Sequence, residues 1–371
     1  MTKTKNKFYP VSEPTITNRE IEYVTKAVKS GWVSSLGEYI TQFEKQFSEF
    51  VGTKYAISCS NGTVGLHLAM LSAGINSGDE VIVPDLTFVA TANAVSYLRA
   101  IPVFADVDPL NWCINPNSIK KIITRKTKAI IPVHLYGYPA DMKAIMKIAN
   151  EFGLIVFEDA AEAHGAEIDG KRVGSFAKCG VFSFYGNKII TTGEGGMITT
   201  NDKALHDRAK YLRDHAMSKK KRYWHTEIGY NYRITNIQAA LGLAQLHRID
   251  SIIKKKFQIY HWYKKYLGST DLITLNPTRE GVKNVFWMVS IILSEKVKIT
   301  RDELMKKLRE KKIDSRPFFY PISQLPMYKK GLVNPVAYNI SKRGMNLPSS
   351  YNLSEPDVKF ISKQLLEFIK A

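Results

Sequence analysis

The chain has 371 residues, more than one compact core holds, because single hydrophobic cores stop growing at roughly 250–300 residues. Hydrophobic residues at 44% and charged residues at 23% are the proportions of a folded globular chain and exclude a disordered or fibrous protein. The net charge of +19 comes from 39 Lys and 14 Arg against 34 acidic residues, a scattered lysine surplus rather than arginines arranged for base contacts. No nucleic-acid partner is expected.

Met1–Pro10 is basic (Lys3, Lys5, Lys7) but has no apolar centre, so no signal peptide is expected. No uninterrupted apolar run reaches the roughly 18 residues of a membrane span, so no membrane partner is expected either. Cys59, Cys113 and Cys179 are odd in number and far apart. That spacing favours reduced thiols in a cytoplasm over a disulfide frame or a metal site, and no metal is expected.

In chain order, a helical period runs from about residue 17 to Ser30 (Ile21, Val24, Val28) and another over 40–50. Short apolar, β-rich runs then recur at Tyr55–Cys59, Glu80–Val83, Pro102–Asp106, Ala129–Val133, Leu154–Glu158, Val181–Phe184 and Gly196–Thr200. Helical segments at Val64–Ala73, Ala90–Leu98, Ile119–Ile123 and Met142–Phe152 separate the first five. Strands alternating with helices at this spacing predict βαβ units and a mostly parallel sheet covered on both faces. The last two strands are joined by about a dozen residues without helical period, a loop of the length that carries function.

Helices are further predicted over Lys203–Arg213 and, continuously, from Asn236 to about Tyr266. Composition shifts to Gly, Pro, Thr and Asn around 268–283, marking a boundary. A strand at Val285–Leu293 and helices at Arg301–Lys311 and Ser354–Ile369 read as a smaller α+β domain. The expected division is a large α/β domain over 1–250 and a small α+β domain over 251–371.

Ligands of open α/β sheets bind outside the carboxyl ends of the strands, so the residues following each strand are the candidates. Ser60-Asn61-Gly62-Thr63 opens directly into a helix, which suits a phosphate as well as an ordinary cap. Pro84-Asp85-Leu86-Thr87-Phe88 can place an aromatic ring in the crevice, though most aromatics are core. Asp159 ends an apolar strand, where a carboxylate is costly without a cationic partner, and Glu162 and His164 add two polar groups. Lys188 lies in a loop of glycines and apolar residues, where an amine can have a lowered pKa and act as a nucleophile. A phosphate cradle, a flat aromatic, a carboxylate and a shielded lysine on one sheet edge are what pyridoxal 5′-phosphate requires.

On these residues the chain resembles the sugar-nucleotide aminotransferases of the aspartate-aminotransferase fold, especially those that aminate C4 of a nucleotide-linked 4-keto-6-deoxyhexose. Segments 30–35, 60–63, 84–91, 158–165, 182–196, 222–225, 229–233, 316–321 and 343–348 carry the resemblance. It implies a mostly parallel seven-stranded sheet with a smaller C-terminal α+β domain, and pyridoxal 5′-phosphate as cofactor. It implies Lys188 as the lysine that bonds the cofactor and then moves the proton, and Asp159 as partner of the pyridine nitrogen. Glu162 takes the phenolic oxygen, Gly62, Thr63 and Ser183 the phosphate, and Phe88 stacks on the ring. Asn231 matches a phosphate ligand donated by a neighbouring subunit, implying a homodimer with shared active sites. Tyr320 and Lys329 match positions near the sugar nucleotide, and Ser323 departs from a histidine common among related sequences. The implied reaction moves an amino group from L-glutamate to C4, giving a perosamine- or viosamine-type product; amination at C3 and a related sugar dehydratase are the alternatives. Lys188 favours amine transfer over the dehydratase, which has histidine at that position. No GxGxxG or GxxxxGK[ST] pattern supports a nicotinamide enzyme or an NTPase.

Overall fold

The computed structural model describes residues 7–329 and 334–370, so the first six residues of the basic N-terminal stretch lie outside the described residues. Two helices lead, α1 (Asn18–Lys29) and α2 (Glu38–Val51). An alternating series follows: β1 (Tyr55–Cys59), α3 (Gly62–Ser72), β2 (Glu80–Pro84), α4 (Ala90–Tyr97), β3 (Ile101–Ala105), α5 (Pro116–Ile122), β4 (Thr127–Ile130), α6 (Met142–Phe152) and β5 (Ile155–Asp159). A short hairpin, β6 (Glu167–Ile168) and β7 (Lys171–Arg172), precedes β8 (Cys179–Ser183) and β9 (Gly196–Thr200). These strands, the hairpin apart, form one seven-stranded sheet in the order β1-β9-β8-β5-β4-β2-β3. Only β9 runs antiparallel to its neighbours; the β2–β3, β2–β4, β4–β5 and β5–β8 pairs are parallel. The apolar runs are therefore covered on both faces, and β8 and β9 are buried along their whole length.

The chain continues through α7 (Lys203–Arg213), α8 (Asn236–Leu246) and α9 (Ile249–Leu267). The single helix expected over this last stretch is two, because Arg248 has non-helical backbone angles and reaches back to Glu20 at 2.9 Å. The smaller C-terminal domain holds β10 (Ile273–Leu275), β11 (Val282–Lys283), β12 (Val289–Leu293), α10 (Arg301–Glu310), β13 (Arg316–Pro317), α11 (Pro335–Arg343), β14 (Gly344–Leu347) and α12 (Glu355–Lys370). Four of its strands pair as β10-β12-β14-β13, while β11 pairs with β6.

The large apolar residues of α1 are not its buried face. In α1 the buried residues are Glu20 and Ala27, while Ile21 and Val28 point outward. Glu20 serves the capping box with Thr17 and also takes Gln245 and Arg248 through its other oxygen, which fixes the polar edge inward. The outward stripe continues into Trp32, Val33 and Leu36, all exposed. No helix of the described residues is long and apolar enough to cross a membrane.

Candidate active site

The residues that follow β1, β2, β5 and β8 meet at one edge of the sheet. At the end of β1, Asn61 caps α3 by accepting the Val64 N–H at 3.0 Å. The opening amides of a helix have no intrahelical acceptor, so Gly62 and Thr63 present an anion-binding turn. A Cβ on Gly62 would stand 2.9 Å from Cβ of Ser183, so glycine is what lets the helix start approach β8. The three expected phosphate residues thus lie side by side.

Asp159 closes β5 and is buried. Its Oδ2 accepts from the Thr91 hydroxyl at 2.8 Å and its Oδ1 from the Ala161 N–H at 3.2 Å. Burial pushes its pKa up, against the pull of these bonds and of Lys188. Among the described residues it makes no ion pair, so the geometry leaves a buried acid asking for a cation. Three residues on, Glu162 accepts the Tyr136 N–H at 2.8 Å. Tyr136 takes the left-handed conformation (φ 53°), rare for a residue with a side chain. Burial raises the Glu162 pKa to about 7.

Lys188 stands in the connection between β8 and β9, whose turn is held by Thr192 N–H to Phe184 O at 2.9 Å and Lys188 N–H to Tyr185 O at 2.9 Å. Its side chain is 12% exposed, with Nζ 3.7 Å from Glu162 Oε1 and 4.0 Å from the centre of the Trp287 ring. Burial depresses its pKa, and Glu162 and Asp159 pull it partly back. A shielded amine beside the buried Glu162 suits covalent chemistry with a carbonyl, and the buried acid Asp159 suits a protonated pyridine. The residues fit pyridoxal 5′-phosphate.

Phe88 is 55% exposed and its ring lies 5.7 Å from Phe319, leaving an open face. Tyr320, next in that segment, is also exposed, as is Lys329. Ser323 is buried instead: its N–H and Oγ donate to the two oxygens of Asp85 at 2.7 and 2.6 Å, tying this segment to the loop that carries Phe88. Asn231 lies apart on an exposed segment, where its amide oxygen accepts from Arg233 at 2.9 and 3.1 Å.

His164 is a correction. It does not join the polar groups of the crevice but is buried among Phe47, Phe182 and Phe184, with neither ring nitrogen hydrogen-bonded, and burial lowers its pKa to about 3. Two residues touching the site carried no role in the sequence reading. Thr91 sits within the matched 84–91 segment and was legible as a hydroxyl near the crevice. Trp287, in an apolar run, had no signal separating it from a core aromatic.

The DegT/DnrJ/EryC1/StrS aminotransferase family model matches residues 14–366. The GDP-perosamine synthase of Escherichia coli O157:H7 is 46% identical over 98% of this chain and 99% of its own length. That of Caulobacter vibrioides is 44% identical over 94% and 95%. Among solved structures, Helicobacter pylori PseC, an aminotransferase of pseudoaminic acid biosynthesis, superposes with a TM-score of 0.94 at 28% identity, covering 98% of this chain and all of that one.

Proposed function

The chain belongs to the DegT/DnrJ/EryC1/StrS aminotransferase family, and we propose that it moves an amino group from L-glutamate to C4 of a GDP-linked 4-keto-6-deoxyhexose. The products are 2-oxoglutarate and a perosamine-type nucleotide sugar. The observation that carries amine transfer is the shielded Lys188 amine beside Glu162, with the unpaired acid Asp159 next to it. Two perosamine-synthase relatives, which match nearly end to end, support the choice of substrate and of GDP as its nucleotide. Amination at C3 and sugar dehydration are not favoured.

When bound, pyridoxal 5′-phosphate supplies a reactive carbonyl carbon and an electron-accepting ring. Gly62, Thr63 and Ser183 would hold its phosphate, and Phe88 would lie against the ring. Asp159, oriented by Thr91, would keep a proton on the ring nitrogen. Glu162 would face the phenolic oxygen. Lys188 is the residue that would hold the cofactor at rest, and its amine would carry a proton to and from the reacting carbon as a general acid and base. Its depressed pKa leaves more of the amine unprotonated near neutral pH. Tyr320 and Lys329 line the approach of the sugar nucleotide.

We further propose a cytoplasmic homodimer with shared sites, Asn231 reaching the phosphate bound in the partner. The outward apolar stripe of α1, continued by Trp32, Val33 and Leu36, supports a covered face. So does the 218–229 segment, where Tyr223, Trp224 and Ile228 are exposed beside Lys221 and Arg222. The division into a cofactor-binding domain over 1–250 and a smaller one over 251–371 belongs to the same proposal.

The test is turnover of GDP-, dTDP- and UDP-linked 4-keto-6-deoxyhexoses with L-glutamate, following 2-oxoglutarate and the amino sugar by mass spectrometry. Highest kcat/KM with the GDP sugar is expected. Absence of amino sugar from all three overturns the substrate class. Loss of a borohydride-sensitive visible band in Lys188→Ala is expected alongside loss of turnover, and near-normal turnover by that variant overturns the role of Lys188.

A further inference from the structure

The carbonyl of Asn187, the peptide oxygen directly before Lys188, accepts two hydrogen bonds from far along the chain. One comes from the Ser12 hydroxyl at 3.0 Å and the other from the Trp287 indole N–H at 2.7 Å. The same indole presents its face to the lysine, with the ring centre 4.0 Å from Nζ. One side chain thus grips both the backbone and the amine of the lysine.

Trp287 is itself held. Its carbonyl accepts from Nζ of Lys256 at 3.1 Å, and Lys256 also donates to Ser349 O at 2.6 Å. Ser349 in turn donates its N–H to Val11 O at 2.7 Å and accepts the Val289 N–H on its hydroxyl at 2.8 Å. Lys256 therefore joins α9 to the 287–289 and 347–350 segments and, through Ser349, to the N-terminal segment. It is buried and makes no ion pair among the described residues. An ammonium with only carbonyl acceptors is a costly way to fill a core, and burial depresses its pKa to about 7. On its other side the Trp287 backbone abuts Gly137: a Cβ there, at φ +100°, would stand 2.9 Å from Trp287 N. Gly137 follows Tyr136, whose N–H holds Glu162. The Trp287 backbone is thus braced against the segment that fixes the neighbouring carboxylate.

We infer that Trp287 is a positioning residue for the Lys188 amine, set by Lys256: its N–H fixes the peptide before the lysine and its ring face fixes the amine. The inference rests on the reading of Lys188 as the reactive amine. A tryptophan face attracts a nearby ammonium electrostatically, so this contact offsets part of the burial that favours the neutral amine. Replacing the indole by a smaller ring without an N–H removes the bond to Asn187 and weakens the attraction.

The experiment is competitive acetylation of the apoenzyme with acetic anhydride across pH, with Lys188 quantified by peptide mass spectrometry. In Trp287→Phe the apparent pKa of Lys188 is expected to fall by about half a unit or more. Lys256→Met should move it in the same direction by less, and Lys254→Met, on the exposed face of α9, should leave it in place. The holoenzyme of Trp287→Phe should lose about tenfold in kcat with KM for both substrates within about twofold. A Lys188 titration in folded Trp287→Phe that is unchanged or raised overturns the inference. A shift in Trp287→Phe without one in folded Lys256→Met overturns the part assigned to Lys256. Turnover by Lys188→Ala would sink the underlying reading instead, and the labelling measurement does not depend on it.

Discussion

The Thr91 hydroxyl donates to Oδ2 of Asp159 at 2.8 Å, with both side chains buried. This bond aims the carboxyl group but supplies no counter-charge, so the buried acid is poised for a cation. Asp159→Asn should retain bound cofactor and lose about 10²-fold or more in kcat, because an amide cannot hold the ring nitrogen protonated. Thr91→Val, which keeps the volume, should cost about tenfold with little change in cofactor content. Steady-state kinetics with cofactor quantified by absorbance check both, and a wild-type rate in Asp159→Asn would mean another group protonates the ring.

Glu162 gives the apoenzyme a pH dependence of definite sign. Its folded pKa, about 7, lies above the ordinary carboxylate value of 4.5, so the folded state favours the protonated form. Stability from this group is complete below pH 4.5 and lost as pH rises through 7. Glu162→Gln removes that loss. It also removes an attraction on Lys188, which lowers the lysine pKa further and penalises the variant mainly at lower pH. Both effects make the variant gain on wild type between pH 5 and 8, by about 1–3 kcal/mol. Denaturant unfolding of both apoenzymes at the two pH values measures the difference, and a flat difference refutes the shift.

The bonds of Ser323 to Asp85 explain what this serine does. Asp85 keeps only the Asn334 amide (2.9 Å) and the Ser323 N–H as donors if the hydroxyl is removed. Ser323→Ala should therefore destabilise the protein by about 1–3 kcal/mol. Because the bond couples the Phe88 loop to the Tyr320 segment, KM for the sugar nucleotide should rise more than kcat falls. Thermal unfolding and initial rates test this; an unchanged KM would make the bond purely structural.

Shared sites predict complementation. Lys188→Ala and Asn231→Ala are each expected to be impaired, and their heterodimers should contain one intact site. Refolded mixtures ought to exceed both parents, approaching a quarter of wild-type activity at equal proportions on a random-pairing estimate, about half the dimers being mixed with one good site of two. Heterodimers shown by mass to form but no more active than either parent would refute the arrangement.

The large sheet was legible because strands buried on both faces are apolar runs bounded by turns, and β1, β2 and β9 fall within a residue of their expected ends. Lys188, Asp159 and Glu162 stood out for the opposite reason, as polar groups where the pattern demands apolar ones. The break at Arg248 was hidden because its cause, an ion pair to Glu20, lies over 200 residues away. The outward face of α1 was hidden for a related reason: periodicity gives a stripe but not what covers it. Trp287 was invisible since an aromatic in an apolar run reads as core until its N–H finds Asn187.

The reversed strand β9 has a consequence for the order in which this protein assembles. Lying antiparallel between β1 and β8, it makes the lysine-bearing connection a hairpin, closed by contacts only a few residues apart. The bonds that grip this connection from outside span 100 and 175 residues, and loop closure costs more entropy the longer the loop. On the ribosome, the hairpin and Asp159 emerge well before Trp287 is synthesised. A nascent chain ending near residue 280 thus carries Lys188 without the indole that bonds the preceding carbonyl and faces the amine. The last stretch to be made therefore supplies the side chain that fixes the lysine from outside its own hairpin.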